Sequence, residues 1–237
     1  MKVKILQTDI VWADPERNLE LLDERFKTVE DADLYVLPEM FTTGFATEPE
    51  GIAECRGLGL EWMKRKAAER DCAIAGSIAT YENGKHYNRF YFVTPEKTWQ
   101  YDKHHLFTYG GEHHHFTAGN EKVVAEWRGV RFRMAVCYDL RFPVWLRNGN
   151  PEYDALIVVA SWPEVRAEAW KTLLRARAME NQCYVIGVNR IGDDPNCHYS
   201  GDSALIDAYG RNAEEIDMDS LNSFRDKFPV LNDADRI

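Results

Sequence analysis

Cysteine is scarce in this 237-residue sequence, and the few thiols are arranged in a way that excludes two kinds of site. Five cysteines are present, they lie far apart along the chain, and no two of them form a Cys-x-x-Cys pair. An odd and scattered set of this kind predicts neither a disulfide framework nor a cysteine zinc site. We therefore expect free thiols in a reducing compartment at Cys55, Cys72, Cys137, Cys183 and Cys197.

Positive charge is scarce as well. The chain has 29 Lys and Arg against 39 Asp and Glu, a formal net charge of -10, and it has no block rich in Lys or Arg. A phosphate backbone or an anionic membrane surface would repel such a chain, so we expect neither nucleic acid nor membrane as its partner. The sequence also lacks a signal-peptide pattern and any apolar run of membrane-spanning length. These absences predict a cytoplasmic protein.

The patterns that are present alternate between strand and helix. Hydrophobic residues make up 45% of the chain, which is enough for a large core. Apolar runs such as residues 154–161 alternate with helical spacing such as that of residues 15–29, which follow a possible Asp14 cap. Several strand-like runs are apolar on both faces, as in sheets covered by helices. We predict an α/β fold with one domain over residues 1–237 and a polar C-terminal tail from about residue 219.

Turn signals add detail to this order of elements. Residues 86–93 and 97–103 are predicted to form a hairpin around residues 94–96. Residues 203–216 are predicted to form a last hairpin. A long amphipathic helix is expected over residues 164–182.

Three polar side chains at the ends of predicted strands point to chemistry, because open α/β folds bind their ligands there. Taken singly, Glu39, Lys103 and Cys137 have ordinary explanations as a loop carboxylate, a surface lysine and a small buried hydrophobe. Taken together, they complement one another. A thiol needs a base or a cation to become a nucleophile, the carboxylate can take its proton, and the ammonium can stabilise a developing oxyanion. This combination predicts acyl-transfer chemistry.

Three sequence runs, in this order, resemble a known family. They are LPEMFTTGF (37–45), YDKHHLF (101–107) with GGE (110–112), and AVCYDLRFP (135–143). They are similar to the Glu-Lys-Cys signature of the nitrilase superfamily, the carbon–nitrogen hydrolases, and the similarity continues to SGDSALIDAYG (200–210). Within that superfamily, the TTGF, KHHLF and GEHHHFTAG segments resemble the bacterial omega-amidase branch, which acts on 2-oxoglutaramate or 2-oxosuccinamate. The resemblance implies a four-layer αββα sandwich that forms a homodimer or higher homo-oligomer and needs no metal or organic cofactor.

The same resemblance implies a role for each matching residue. Cys137 corresponds to the nucleophile that attacks the amide carbonyl, Glu39 to the general base and acid, and Lys103 to the cation that stabilises the tetrahedral intermediate. The backbone N–H of Tyr138 would complete the oxyanion hole. Glu112 matches an auxiliary glutamate that positions the lysine and the leaving nitrogen. The implied reaction passes through a thioester acyl-enzyme with release of ammonia.

Substrate selection rests on fewer signals. The free carboxylate of a 2-oxo acid amide needs a cationic partner, most naturally a bidentate arginine. Arg141 and Arg166 are the candidates, with a structural ion pair as the favoured role of Arg141 and a solvated position as the alternative for Arg166. Trp162 could cover the substrate or belong to the core. His114 is a further candidate contact, within a run of histidines (113–115) that is expected to line or support the site.

Three other kinds of function remain open. An N-carbamoyl amino acid hydrolase, an aliphatic amidase or a nitrilase would use the same three groups, so these groups specify mechanism and not substrate. The histidines between residues 104 and 115 could ligate zinc in a metal-dependent hydrolase, although three consecutive side chains cannot converge on one ion. A scaffold protein of the same fold is the third alternative, but it has no chemical reason to keep Glu39, Lys103 and Cys137.

Overall fold

Two five-stranded mixed sheets form the centre of the molecule. The computed structural model describes residues 1–54, 57–149 and 151–234, so Cys55 lies outside the described residues. The first sheet contains β1 (Val3–Ile5), β2 (Leu34–Val36), β3 (Ala73–Glu82), β4 (Lys85–Val93) and β5 (Thr98–Asp102) in sequence order. β1, β2 and β3 are parallel, whereas β3, β4 and β5 pair antiparallel. The β4–β5 pairing confirms the hairpin predicted around residues 94–96.

The second sheet places its parallel strands at its centre. The remaining strands are β6 (Val124–Trp127), β7 (Val130–Val136), β8 (Ala155–Ala160), β9 (Tyr184–Asn189), β10 (Ile191–Asp193), β11 (His198–Ser200) and β12 (Ala204–Ile206). The order in the sheet is β12-β9-β8-β7-β6, with β7, β8 and β9 parallel and both edge strands antiparallel to their neighbours. β10 and β11 pair with each other in a separate two-stranded ribbon.

The α-helices of the described residues are α1 (Pro15–Phe26), α2 (Leu58–Arg70), the four-residue α3 (Glu112–His115), α4 (Ala167–Glu180) and α5 (Met218–Lys227). α1 and α2 cover the outer face of the first sheet, and α4 covers that of the second. The side chain of Asp14 accepts a hydrogen bond from the backbone N–H of Arg17 at 3.0 Å, which confirms the predicted cap. Within the described residues, we find no helix with the length and apolar character needed to cross a membrane.

The alternation of side chains along the central strands produces four layers. On β8, Ala155, Ile157 and Val159 pack between the two sheets, whereas Leu156 and Val158 face α4 on the outside. On the first sheet, the outer face packs against α1 and α2 in the same way. Strands that are apolar on both faces are buried on both faces. The result is the αββα sandwich expected from the resemblance, and both sheets direct strand ends toward one edge.

The structure departs from the predicted elements near the end of the chain. Residues beyond 219, predicted to be a polar tail, form α5, which is capped by Asp217 and buries Leu221. The guanidinium of Arg225 holds this helix in place by donating to Asp154 Oδ1 at 2.8 Å. The last predicted hairpin is incomplete, because β12 pairs with β9 and its own second arm contributes a single bridge, from Ile206 to Asn212.

Candidate active site

Glu39 occupies the point where the two sheets meet. It follows β2 by three residues, and its carboxylate is fully buried. Glu39 Oε1 accepts hydrogen bonds from Lys103 Nζ at 3.0 Å and from Asn88 Nδ2 at 2.7 Å, and Oε2 accepts one from the Ser161 backbone N–H at 2.8 Å. Ser161 directly follows β8 in the opposite sheet. The first sheet therefore supplies the carboxylate, and the second sheet fixes its orientation.

Lys103 directly follows β5, and its ammonium lies between two carboxylates. Besides Glu39, its Nζ contacts Glu112 Oε2 at 2.9 Å and Oε1 at 3.1 Å, and all three side chains are fully buried. Glu112 is the first residue of α3, after Gly111, whose positive φ of 79° turns the chain inward. The Glu112 carboxylate also accepts the backbone N–H of Phe107 at 2.6 Å. The loop before α3 is thus tied to the same carboxylate that holds the ammonium.

Cys137 is presented at the start of a tight turn. It follows β7 directly and begins a 3-10 turn (Cys137–Arg141) with a φ of 45°, an uncommon conformation for a residue with a side chain. Buried Asp139 fixes this turn: its Oδ2 accepts the Val136 N–H at 3.0 Å and the Tyr101 hydroxyl at 2.7 Å, and its Oδ1 accepts the His105 N–H at 2.9 Å. The turn directs the thiol toward the strand ends of both sheets.

Burial and neighbouring charges set the protonation of these groups. Burial raises the pKa of the Cys137 thiol well above its ordinary value, the Glu39 carboxylate raises it further, and the Lys103 ammonium opposes both. The thiol therefore carries its proton at neutral pH and needs a base. Burial disfavours the charge on Lys103, but the carboxylates of Glu112 and Glu39 outweigh it and raise the pKa of that lysine. The pKa of Glu112 is also raised by burial, against the effect of Lys103.

A cavity of about 380 Å³ opens onto the thiol. Its lining includes the predicted residues Tyr138, Arg141, Trp162 and Arg166 together with Cys137. Trp162 is both core and cavity wall: only 3% of its surface is exposed, and its indole packs against Trp170 with 5.5 Å between ring centroids.

The two arginines of the cavity are held by aromatic rings. The Arg141 guanidinium lies 4.8 Å from the centroid of the Trp162 ring, and that of Arg166 lies 5.6 Å from the centroid of Phe107. The ion pair expected for Arg141 is absent, since within the described ranges no carboxylate oxygen lies within 4.0 Å of either guanidinium. Both cations therefore keep their hydrogen-bonding capacity for a ligand.

The histidines do not converge, and His114 does not line the cavity. The short helix α3 points Glu112 inward and leaves His113 and His114 exposed, with their ring centroids 3.9 Å apart and the rings tilted by 38°. His115 contacts Glu50, and His105 contacts Asp139. His114, predicted as a substrate contact, is not among the described lining residues of the cavity, because α3 turns the Glu112 side toward the site. Among the residues that the structure describes, no group of three or more His, Cys, Asp or Glu side chains is placed to hold a metal ion.

Three contributors to the site were missed by the sequence analysis. Asn88 on β4 contacts both Glu39 and Glu112, and the sequence marks it only as the single amide side chain of that strand. Asn189 clamps the Trp162 peptide, accepting its N–H at 2.7 Å and donating to its C=O at 2.9 Å. The β10–β11 ribbon and the turn that joins its strands supply one cavity wall, with Cys197 on the turn. Three-residue strands are too short to show an alternation of apolar and polar residues, and Asn189 is a single polar residue at the end of an apolar strand, so the sequence pattern predicted neither.

A four-layer αββα sandwich that gathers a glutamate, a lysine and a cysteine at its strand ends defines the nitrilase class of proteins. Comparison with known proteins gives the same class. A family model described as carbon–nitrogen hydrolase matches residues 2–222. The chain is 44% identical over 250 aligned residues to the omega-amidase YafV of Yersinia enterocolitica, covering 100% of this chain and 97% of that protein.

Two further relatives extend the comparison. A 2-oxoglutaramate amidase of Bacillus subtilis is 34% identical over 249 residues, covering 98% of this chain and 96% of that protein. The solved structure of XC1258 from Xanthomonas campestris, a CN-hydrolase superfamily protein with an arsenic adduct in the active site, matches with a TM-score of 0.94 and 39% identity, covering 100% of this chain and 98% of that one. The chain belongs to the carbon–nitrogen hydrolase family. It is a hydrolase of carbon–nitrogen bonds other than peptide bonds.

Proposed function

We propose that this protein is a thiol-dependent omega-amidase, which hydrolyses the terminal amide of a small 2-oxo dicarboxylic acid such as 2-oxoglutaramate or 2-oxosuccinamate. The observation that carries the proposal is the arrangement of the cavity: a thiol beside the buried Glu39–Lys103 pair, with Arg141 and Arg166 on the same walls. The names of the relatives, omega-amidase and 2-oxoglutaramate amidase, support the same reaction.

The proposed acylation step begins with a protonated thiol. Glu39 removes the proton of Cys137 as its sulfur attacks the amide carbon, which forms the C–S bond. The oxyanion is stabilised by the Lys103 ammonium and by the backbone N–H of Tyr138. When the intermediate collapses, the C–N bond breaks and Glu39 returns the proton to the nitrogen, so ammonia leaves. Glu112 keeps the ammonium in position throughout.

Deacylation uses the same groups in reverse order. A water molecule enters where ammonia departed, Glu39 takes one of its protons, and the hydroxide attacks the thioester carbon. Collapse of the second intermediate breaks the C–S bond, and the thiolate of Cys137 recovers its proton from Glu39. The product is the dicarboxylate. Glu39 accepts and releases one proton in each half-reaction, so it must begin each one ionised.

The polar groups of the cavity favour a 2-oxo acid over an amino acid. Two arginines can bind the free carboxylate and the adjacent oxo oxygen. The described cavity lining contains one carboxylate, that of Asp194, and its oxygens are already used. Asp194 Oδ1 accepts the N–H groups of Asn196 and Cys197 at 2.7 and 2.8 Å, and Oδ2 accepts the Tyr199 hydroxyl. In the described lining, an α-ammonium group, as in glutamine, would meet two guanidinium cations and a single carboxylate whose oxygens already accept hydrogen bonds.

A substrate panel tests this proposal. Purified protein is assayed for ammonia release from 2-oxoglutaramate, 2-oxosuccinamate, glutamine, an N-carbamoyl amino acid and a simple nitrile. We expect kcat/KM for the two oxo-amides to exceed that for glutamine by at least about 100-fold, the cost of leaving charged groups unpaired. Turnover of another compound without turnover of either oxo-amide would contradict the substrate assignment. The thiol mechanism is tested by the substitutions of Cys137.

Removal of either cavity arginine is expected to weaken substrate binding. Arg141→Met and Arg166→Met should each raise KM for 2-oxoglutaramate by about 10–100-fold, because a hydrogen bond to a charged group contributes about 1.5–3 kcal/mol, with a smaller effect on kcat. Arg175→Met, on the exposed face of α4, is the matched control and should leave KM unchanged. Turnover of an uncharged amide should not respond to either cavity substitution. An unchanged KM in both cavity variants would rule out these arginines as carboxylate ligands.

A further inference from the structure

One buried side chain touches both carboxylates of the site and has no part in the proposed chemistry. Asn88 Nδ2 donates to Glu39 Oε1 at 2.7 Å and to Glu112 Oε1 at 3.1 Å, and Asn88 is fully buried. Among the residues that the structure describes, its Oδ1 has no hydrogen-bond partner. A buried acceptor without a partner costs on the order of 1–3 kcal/mol, so the two bonds at the other end of the amide must offset a real penalty.

The charges around this amide explain what those two bonds accomplish. Two carboxylates, Glu39 and Glu112, share a single buried ammonium, that of Lys103, so the fully ionised cluster carries one excess negative charge. Such a cluster tends to take up a proton, because two carboxylates at one site cannot both ionise easily. A protonated Glu39 could not act as a base. Each N–H of the Asn88 amide points at one carboxylate, and a donor of this kind favours the ionised form of its acceptor.

We propose that Asn88 is a positioning residue that keeps Glu39 and Glu112 ionised together, so that Glu39 is available as a base for Cys137 at neutral pH. The proposal rests on the proposed thiol mechanism. The titratable groups that face the amide are Glu39 after β2, Lys103 after β5 and Glu112 on α3, and Cys137 interacts with Glu39 from the opposite sheet. The neighbouring Arg89 points to the other side of β4, toward Asp102 and Glu82.

The sign of the effect follows from the direction of the hydrogen bonds. An N–H donor stabilises a carboxylate in its ionised form, so without the Asn88 donor Glu39 and Glu112 lose a partner that favours their charge, and Glu39 is available as a base only at higher pH. Hydrogen bonds to charged groups contribute about 1.5–3 kcal/mol, which corresponds to a displacement of about one to two pH units. The acidic limb of any rate that depends on ionised Glu39 should therefore move toward alkaline pH when the donor is lost.

Alkylation of Cys137 by iodoacetamide measures this limb without a substrate. The rate is followed by mass spectrometry between pH 4 and pH 9 in the wild-type protein, in Asn88→Ala and in Asn88→Asp. We expect the acidic limb to move up by about one to two pH units in Asn88→Ala. Asn88→Asp keeps the shape of the side chain and replaces the donor with a third carboxyl, so its limb should move at least as far.

Asn148→Ala is the matched control. Asn148 is another fully buried asparagine, and its amide bonds Tyr153 and Asn181 away from the site. Its loss should lower the melting temperature and leave the acidic limb in place. If Asn88→Ala does not fold, the isosteric Asn88→Asp decides by the same criterion.

The experiment separates the inference from the function on which it rests. Absence of alkylation at Cys137 in the wild-type protein would remove the thiol mechanism, and the inference with it. Selective alkylation at Cys137 with the same acidic limb in wild type and in both Asn88 variants would overturn the role of Asn88 alone.

Discussion

Cys137→Ala is expected to abolish turnover of 2-oxoglutaramate, with a fall in kcat/KM of at least about 10⁴-fold. The reason is that the thioester has no other atom to form on. The remaining groups of the site can bind and polarise the amide but cannot divide its hydrolysis into two easier steps. Cys137→Ser should fail nearly as completely, because a buried hydroxyl beside Glu39 is a far weaker nucleophile than a thiol. Ammonia release and mass spectrometry of protein quenched during turnover measure both effects.

The quenched wild-type protein should carry an acyl adduct on Cys137 and on no other cysteine. Cys183→Ala is the matched control, since Cys183 is a fully buried thiol directly before β9, and burial raises its pKa as well. That variant should keep its kcat and lose only stability. A metal-dependent hydrolase would give the opposite pattern, with activity surviving Cys137→Ser and disappearing with a chelator. Full activity of Cys137→Ala, or an adduct on Cys183 or Cys197, would refute the thiol mechanism.

The sequence predicted the functional residues that lie directly after recognisable strands. Glu39, Lys103 and Cys137 each follow a strand with a recognisable apolar pattern, and their chemical types complement one another, so their meeting could be predicted before any contact was known. The unbroken apolar run of β8 likewise predicted that both faces of this strand are buried. The amphipathic run after Asp217 also carried a signal, since a capping aspartate precedes Leu221 and Phe224 at helical spacing.

What the sequence could not supply depends on tertiary pairing. The orienting donor for Glu39 is a backbone N–H, that of Ser161, and every residue except proline has one. Asn88 lies 49 residues from Glu39 along the chain, and only the pairing of β3 with β4 brings its amide to the carboxylates. For Arg141 and His114, the residue type suggested contact with the substrate, but the sequence could not predict whether the side chain faces the cavity. Arg141 lies over an indole and faces the cavity, whereas His114 points away from it.

Lys103→Met is expected to lower kcat/KM by about 10³-fold, the upper end of the cost of removing a donor from an oxyanion site. The side chain is fully buried, so no water can take the place of the ammonium. Lys97→Met is the matched control: Lys97 lies on the turn of the same β4–β5 hairpin, exposed and over the Trp99 ring. It should keep wild-type turnover. Wild-type rates in Lys103→Met would exclude the lysine from the chemistry.

Stability provides a second measurement that separates the two consequences of losing this cation. Without Lys103, Glu39 and Glu112 face each other uncompensated, and breaking a buried pair of charges costs about 3–5 kcal/mol of unfolding free energy. Burial already raises the pKa of Glu112 against the effect of Lys103, and without that lysine the ionised carboxylate has no cation beside it, so stability should be lost as the pH rises from 5 to 8 and recovered in acid. Adding Glu112→Gln removes one of the two charges and should restore stability at pH 8 without restoring turnover. Thermal unfolding at both pH values and ammonia release test the pair. If the double variant recovered turnover with its stability, Lys103 would serve only to hold the fold, because charge balance alone would then account for its effect on the reaction.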